Sequence, residues 1–292
     1  MNLWLATQPA PGLRRLRAGW RLALFLLILI APVLMLLAAR HAGAGNATTV
    51  LKPLATAANE AVLLGWVALI TWLFSILERR AMGSYGLPWR GALGRQFWAG
   101  ALWGAAALTV LLLLMAASGG FGFGGIATRG GTLARYGLEW ALAFLVVGLF
   151  EEFSFRGYAL VTLREGIGFW PAAVLLSMAF GAVHLGNGGE TYVGGLSAGL
   201  IGLFFCFTWQ RTGTLWFAVG MHAAWDYCES FVYGVPDSGT LAPGRLLAPH
   251  IHGSRWLTGG SVGPEGSVWV FVVIGLLFLL FDRRYPAASP HP

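Results

Sequence analysis

Long apolar runs, interrupted by charge mainly at their ends, constrain this chain more than any other feature. A helix crosses the hydrocarbon of a bilayer with about 20 consecutive apolar residues. Stretches of that kind fall at about 22–39, 61–77, 98–117, 137–158, 170–185, 193–209, 215–233 and 267–281. Only 11% of the 292 residues are charged and 57% are hydrophobic, against about 25% charged in soluble domains. The expectation is an all-α, polytopic membrane protein with about eight transmembrane helices, the functional ones being helices 4 to 7. Residues 1–136 would supply helices 1 to 3 with their loops, and 137–292 a core of helices 4 to 8.

The net charge of +7 has a membrane reading rather than a nucleic-acid one, because the basic residues sit at helix ends. With the N-terminus in the cytoplasm, Arg14, Arg15, Arg17, Arg21, Arg79, Arg80, Arg90, Arg95, Arg164, Arg211, Arg283 and Arg284 face inward. They outnumber Arg40, Lys52, Arg129, Arg135, Arg245 and Arg255 on the opposite side, as the positive-inside rule requires. Both termini are therefore expected in the cytoplasm. Ala42-Gly43-Ala44 has the look of a signal-peptidase site, but the run before it exceeds the usual signal-peptide core and is read as a retained helix. Cys206 and Cys228, each in an apolar run, are read as small buried hydrophobes. His250 and His252, in a loop rich in proline, are read as surface histidines.

Against this background a few polar residues stand out, since a charge at membrane depth costs a few kcal/mol and is a functional hypothesis by default. The fourth run ends in Glu151-Glu152-Phe153-Ser154-Phe155-Arg156, the fifth carries Phe180 to His184, and the seventh carries His222 to Asp226. Glu152 and Arg156, four apart, share a helix face and can pair. Glu151 lies about 100° round the same helix, outside that pair, and is left free to act as a base. His222 and Asp226 also share a face, while Gly181, Ala182, Ala223 and Ala224 would let neighbouring helices approach closely. A glutamate–arginine pair alone could be a structural lock, and a lone membrane histidine a hydrogen-bonded structural residue. The coincidence of all of them on three helices argues for a site.

Two chemistries suit this set. In one, a glutamate activates water while the histidines and Asp226 stabilise the oxyanion and protonate the leaving amine. In the other, His184, His222 and Glu151 bind a metal, zinc by donor type, which activates the water. A His-Glu-x-x-His helix, the usual zinc-protease signature, is missing from the sequence.

At these residues the sequence resembles the CPBP (CAAX protease and bacteriocin-processing, or Abi) intramembrane proteases, which are similar to the type II CAAX prenyl endopeptidase. The family pattern runs Glu-Glu-x-x-x-Arg, Phe-x-x-x-His, His-x-x-x-Asn or Asp, here Glu151 to Arg156, Phe180 to His184 and His222 to Asp226. Flanking text agrees at Gly157, at Thr212-Gly213-Thr214-Leu215-Trp216, at Thr258-Gly259-Gly260 and at Gly263-Pro264-Glu265. The resemblance implies an intramembrane endopeptidase acting on a peptide or membrane protein. Glu151 would activate water, His184, His222 and Asp226 would complete the site, and Glu152 with Arg156 would hold it. The third motif ends in aspartate where the prenyl-protein enzymes carry asparagine, so the site gains an acidic group. Rich alanine, glycine, arginine and tryptophan usage looks bacterial, which places the chain in the cytoplasmic (inner) membrane. Two other readings stay open: a non-catalytic membrane protein that binds a partner and confers immunity, and a proton-coupled transporter. The second lacks paired halves with matching broken helices.

Overall fold

The computed structural model describes residues 16–43 and 52–287. The readings on Arg14, Arg15 and Ala44 lie outside those residues. Each expected apolar run contains a helix: α1 (Ala18–Gly43), α2 (Pro53–Leu77), α3 (Arg95–Ala117), α4 (Gly130–Arg156), α6 (Phe169–His184), α7 (Tyr192–Thr212), α8 (Trp216–Asp226) and α10 (Val268–Arg284). The chain is thus an all-α membrane protein. Among the described residues, four helical stretches are long and apolar enough to cross a membrane by length and composition, and α6 is an apolar helix of shorter length.

Helix ends follow local chemistry. Pro53 opens α2, where its missing N–H costs nothing. The hydroxyls of Thr191 and Ser267 cap α7 and α10 by accepting from the backbone N–H of Gly194 and Trp269. Gly213, with φ 74°, closes α7 in the left-handed conformation that a side chain disfavours.

Three features depart from the sequence reading. A further helix, α5 (Tyr158–Ile167), follows α4 directly across Gly157. The turn is tight enough that a Cβ on Gly157 would lie 2.3 Å from the Phe153 carbonyl oxygen. The segments between α3 and α4 and between α8 and α10 also hold a strand each. β1 (Phe121–Ile126) and β2 (Leu247–Ile251) pair antiparallel, with Phe121 opposite Ile251 and Ile126 opposite Leu247. Gly124 permits the pairing, since a Cβ there would meet the Ala248 carbonyl oxygen at 1.9 Å. Finally α8 does not end as an α-helix but widens into a π-helical turn over Tyr227–Tyr233, a device frequent at functional sites. A one-turn helix α9 (Arg255–Thr258) and a 3₁₀ turn (Pro264–Gly266) lead into α10.

Two arrangements position the helices that bear the motifs. The first is a glycine contact between α3 and α8. Cβ atoms on Gly100 and Gly104 would stand 2.0 and 2.2 Å from the carbonyl oxygens of Phe217 and Met221, and one on Gly220 2.0 Å from that of Phe97. Such backbone-to-backbone contact is how membrane helices gain packing where water cannot drive association. The second is a buried polar knot at the ends of α1, α2 and α5. The Glu78 carboxylate, wholly buried, accepts from Arg21 at 3.0 Å, from the Tyr85 hydroxyl at 2.9 Å and from the Tyr158 hydroxyl at 2.5 Å. Arg21 and Arg80 also donate to Glu165 at 2.6 and 2.5 Å. Buried charge is tolerated when each lone pair and N–H finds a partner, and here a single carboxylate serves three helices.

Candidate active site

On the last turns of α4 the two adjacent glutamates take different surroundings, as their 100° separation requires. Glu152 and Arg156 are both fully buried and pair at 3.0 Å. The guanidinium lies over the Phe180 ring, 4.2 Å from its centroid, and its Nη2 fills the space left by Gly202, where a Cβ would come within 2.4 Å. Arg156 therefore knits α4 to α6 and α7. Glu151 is not part of this pair and keeps about a quarter of its side chain exposed.

His184, the last residue of α6, is held by its own helix. Its Nδ1 is 2.9 Å from the Phe180 carbonyl oxygen, which can only accept, so the proton sits on Nδ1 and Nε2 is free. Phe180 packs against the imidazole with ring centroids 4.4 Å apart. The Phe-x-x-x-His spacing thus sets one ring between Arg156 and His184. Gly181 lets α6 meet α7 closely, as expected, since a Cβ there would be 2.3 Å from the Gly195 carbonyl oxygen.

His222 is the hub. Its Nδ1 stands 3.0 Å from Glu152 Oε1, so the buried carboxylate that pairs with Arg156 also receives the imidazole N–H. The ring is stacked on Phe205 with centroids 5.7 Å apart. The opposite nitrogen, Nε2, faces Asp226 at 3.5 Å and Glu151 at 3.8 Å. Glu151, His184, His222 and Asp226 all line one cleft. A second, narrower and mostly apolar cleft shares His184, His222 and Asp226 and runs between α6, α7, α8 and α10.

The structure brings all six expected site residues into one connected group, with Glu151 reaching it across the cleft rather than by a hydrogen bond. It does not gather His184, His222 and Glu151 as metal ligands. Among the described residues, one group of three or more His, Cys, Asp or Glu presents ligand atoms all within 4.8 Å of one another, and it is Glu229, Asp237 and Glu265. The donors of the expected zinc trio do not meet that spacing as they stand. His250 and His252 are exposed. Both cysteines are free, Cys206 buried and Cys228 half-buried.

Sequence reasoning missed several residues around the cleft. Glu265 borders both clefts, and its Oε2 accepts from the Ser238 hydroxyl at 3.0 Å. Its signal was present in Gly263-Pro264-Glu265, read only as flanking text. Glu229 sits on the π turn, fully buried, accepting from Trp225 Nε1 at 2.8 Å. Asp237, in the loop beyond, accepts from the Ser230 hydroxyl at 3.0 Å. Burial, together with the neighbouring Asp226 and Glu265 carboxylates, pushes the Asp237 carboxyl well above its usual range.

Residues 134–228, which hold all three motifs, match the family described as type II CAAX prenyl endopeptidase Rce1-like. The family read from the motifs is thereby borne out over this segment, and the match supports a membrane peptidase at the level of the family. Neither a curated protein nor a solved structure matches the chain.

Proposed function

We propose that the chain is an intramembrane endopeptidase in which Glu151 activates water without a metal, and that residues 137–292 carry the catalytic core. The observation that carries this reading is the division of labour among the carboxylates. Glu152 is consumed by Arg156 and His222, whereas Glu151 stands outside that pair and opens onto the cleft that His184, His222 and Asp226 also line. In the proposed reaction, the Glu151 carboxylate takes a proton from a water in the cleft. The oxygen then attacks the scissile carbonyl carbon, and an N–H at His222 Nε2 donates to the oxygen on which negative charge develops. Glu151 returns its proton to the leaving nitrogen. His184 Nε2, left free by the Nδ1 bond to Phe180, orients the water. Asp226, on the next turn from His222, fixes the imidazole from the Nε2 side.

The apolar lining of the second cleft, from α6, α7, α8 and α10, suits an apolar side chain of a membrane-anchored substrate whose scissile bond lies at the histidines. Residue usage favours a bacterial inner membrane, and the distribution of basic residues favours both termini in the cytoplasm. A library of membrane-anchored peptides, reconstituted in vesicles with the purified protein, tests the assignment. Cleavage by the wild type and its loss in His222→Ala support it. Binding of library members without cleavage by the wild type would instead favour the non-catalytic, immunity-type reading.

A further inference from the structure

We propose that Glu229, Asp237 and Glu265 form a binding site for one hard divalent cation of the calcium type, separate from the catalytic groups. The three carboxylates come from the π turn after α8, from the loop beyond it and from the 3₁₀ turn before α10. Each offers a ligand oxygen, and these oxygens all lie within 4.8 Å of one another. No Lys, Arg or His among the described residues forms an ion pair with any of them.

The pattern of hydrogen bonds points the same way. One oxygen of each carboxylate is held by a donor: Trp225 Nε1 on Glu229 Oε2, Ser230 Oγ on Asp237 Oδ2 and Ser238 Oγ on Glu265 Oε2. These donors fix the three groups and leave the second oxygen of each uncommitted. At Glu229 that second oxygen, Oε1, is fully buried and without a hydrogen-bond partner. An orphaned carboxylate oxygen inside a membrane protein is costly unless something positive meets it.

The donor set is all oxygen, which selects hard cations over zinc. Calcium accepts several protein carboxylates in a flexible shell of about six to eight oxygens, whereas magnesium keeps most of its waters and takes one or two carboxylates, so three convergent carboxylates favour calcium. Asp237 and Glu265 also line the cleft that Glu151 borders, through which water can reach the ion and fill its remaining positions. A cation here would tie the segment between α8 and α10 to the helix that carries His222 and Asp226.

The test uses the full-length protein in detergent, stripped with a chelator and then titrated with calcium chloride, with magnesium and zinc chlorides as comparisons. The readouts are calcium bound per chain and the unfolding temperature. The expected result is one saturable calcium site with a calcium-dependent rise in unfolding temperature. Asp237→Asn and Glu265→Gln should each weaken calcium binding by at least about tenfold. Two results would overturn the proposal: no saturable calcium binding by the wild type, in which case protons shared among the carboxyls neutralise the cluster, or equal binding by the wild type and both variants. Binding is read without substrate, so its failure leaves the endopeptidase reading standing. Should a variant fail to fold, the wild-type stoichiometry still decides.

Discussion

Replacing Arg156 with alanine is expected to damage stability far more than an ordinary surface change, and the structure gives the size. Arg156 and Glu152 are both wholly buried and paired at 3.0 Å. Removing one partner of such a pair leaves an uncompensated buried charge, which costs about 3–5 kcal/mol. Loss of the guanidinium stacked 4.2 Å over Phe180 adds about 1–2 kcal/mol of cation–π attraction and packing. His222 remains as a second partner for Glu152 at 3.0 Å and returns part of that loss. The net expectation is about 3–5 kcal/mol, a large share of the 5–15 kcal/mol that folded domains possess. At about 2–4 °C per kcal/mol for a chain of this class, the unfolding temperature in detergent should fall by roughly 6–20 °C. The double variant Glu152→Gln with Arg156→Met removes both charges and should recover a good part of that loss, whereas independent effects would simply add. A fall of less than about 2 °C in Arg156→Ala, at the foot of the same scale, would refute the argument that this pair is a buried lock.

Other perturbations follow from the same packing. Gly104→Val would push a side chain into the Met221 carbonyl oxygen, one residue from His222, and should cut both the unfolding temperature and the rate of cleavage. Glu78→Ala should destabilise by about 3–5 kcal/mol, because Arg21, Tyr85 and Tyr158 all lose their acceptor, and thermal unfolding would show it. Phe180→Ala should weaken both neighbours of that ring, lowering the unfolding temperature and the cleavage rate together. A zinc-selective chelator should leave cleavage unchanged if Glu151 activates water directly, and loss of activity restored by added zinc would contradict that chemistry.

Much of the architecture was legible because the membrane simplifies the code. An apolar run of the right length has to be a helix, and each expected run contains one. The motif residues were legible for the converse reason, since Glu151, Glu152, Arg156, His184, His222 and Asp226 carry a polar cost that apolar neighbours do not. Helix geometry alone separated Glu152, which pairs with Arg156, from Glu151, which does not. What sequence could not show is where the chain departs from plain α-helix. Helix α5 continues the apolar character of α4 across Gly157, so periodicity gives no sign of the break. The π turn at Tyr227–Tyr233 shifts Glu229 by part of a turn without changing the pattern of apolar residues. The strand pairing of Phe121–Ile126 with Leu247–Ile251 is long-range and glycine-rich, and carries no alternating pattern. The meeting of Glu229 with Asp237 and Glu265 likewise depends on that loop's path.

The central claim is that Glu151, and not its neighbour, performs the chemistry. The most direct measurement is the cleavage rate of Glu151→Gln on a membrane-anchored peptide that the wild type cuts, in the same vesicles and at saturating substrate. The substitution keeps the shape of a side chain that is about a quarter exposed and whose Oε2 makes no hydrogen bond, facing His222 Nε2 at 3.8 Å. A positioned general base contributes about 10²–10⁴-fold, so kcat should fall at least about 100-fold with the unfolding temperature unchanged. A variant that still cuts at a rate close to that of the wild type would contradict the account.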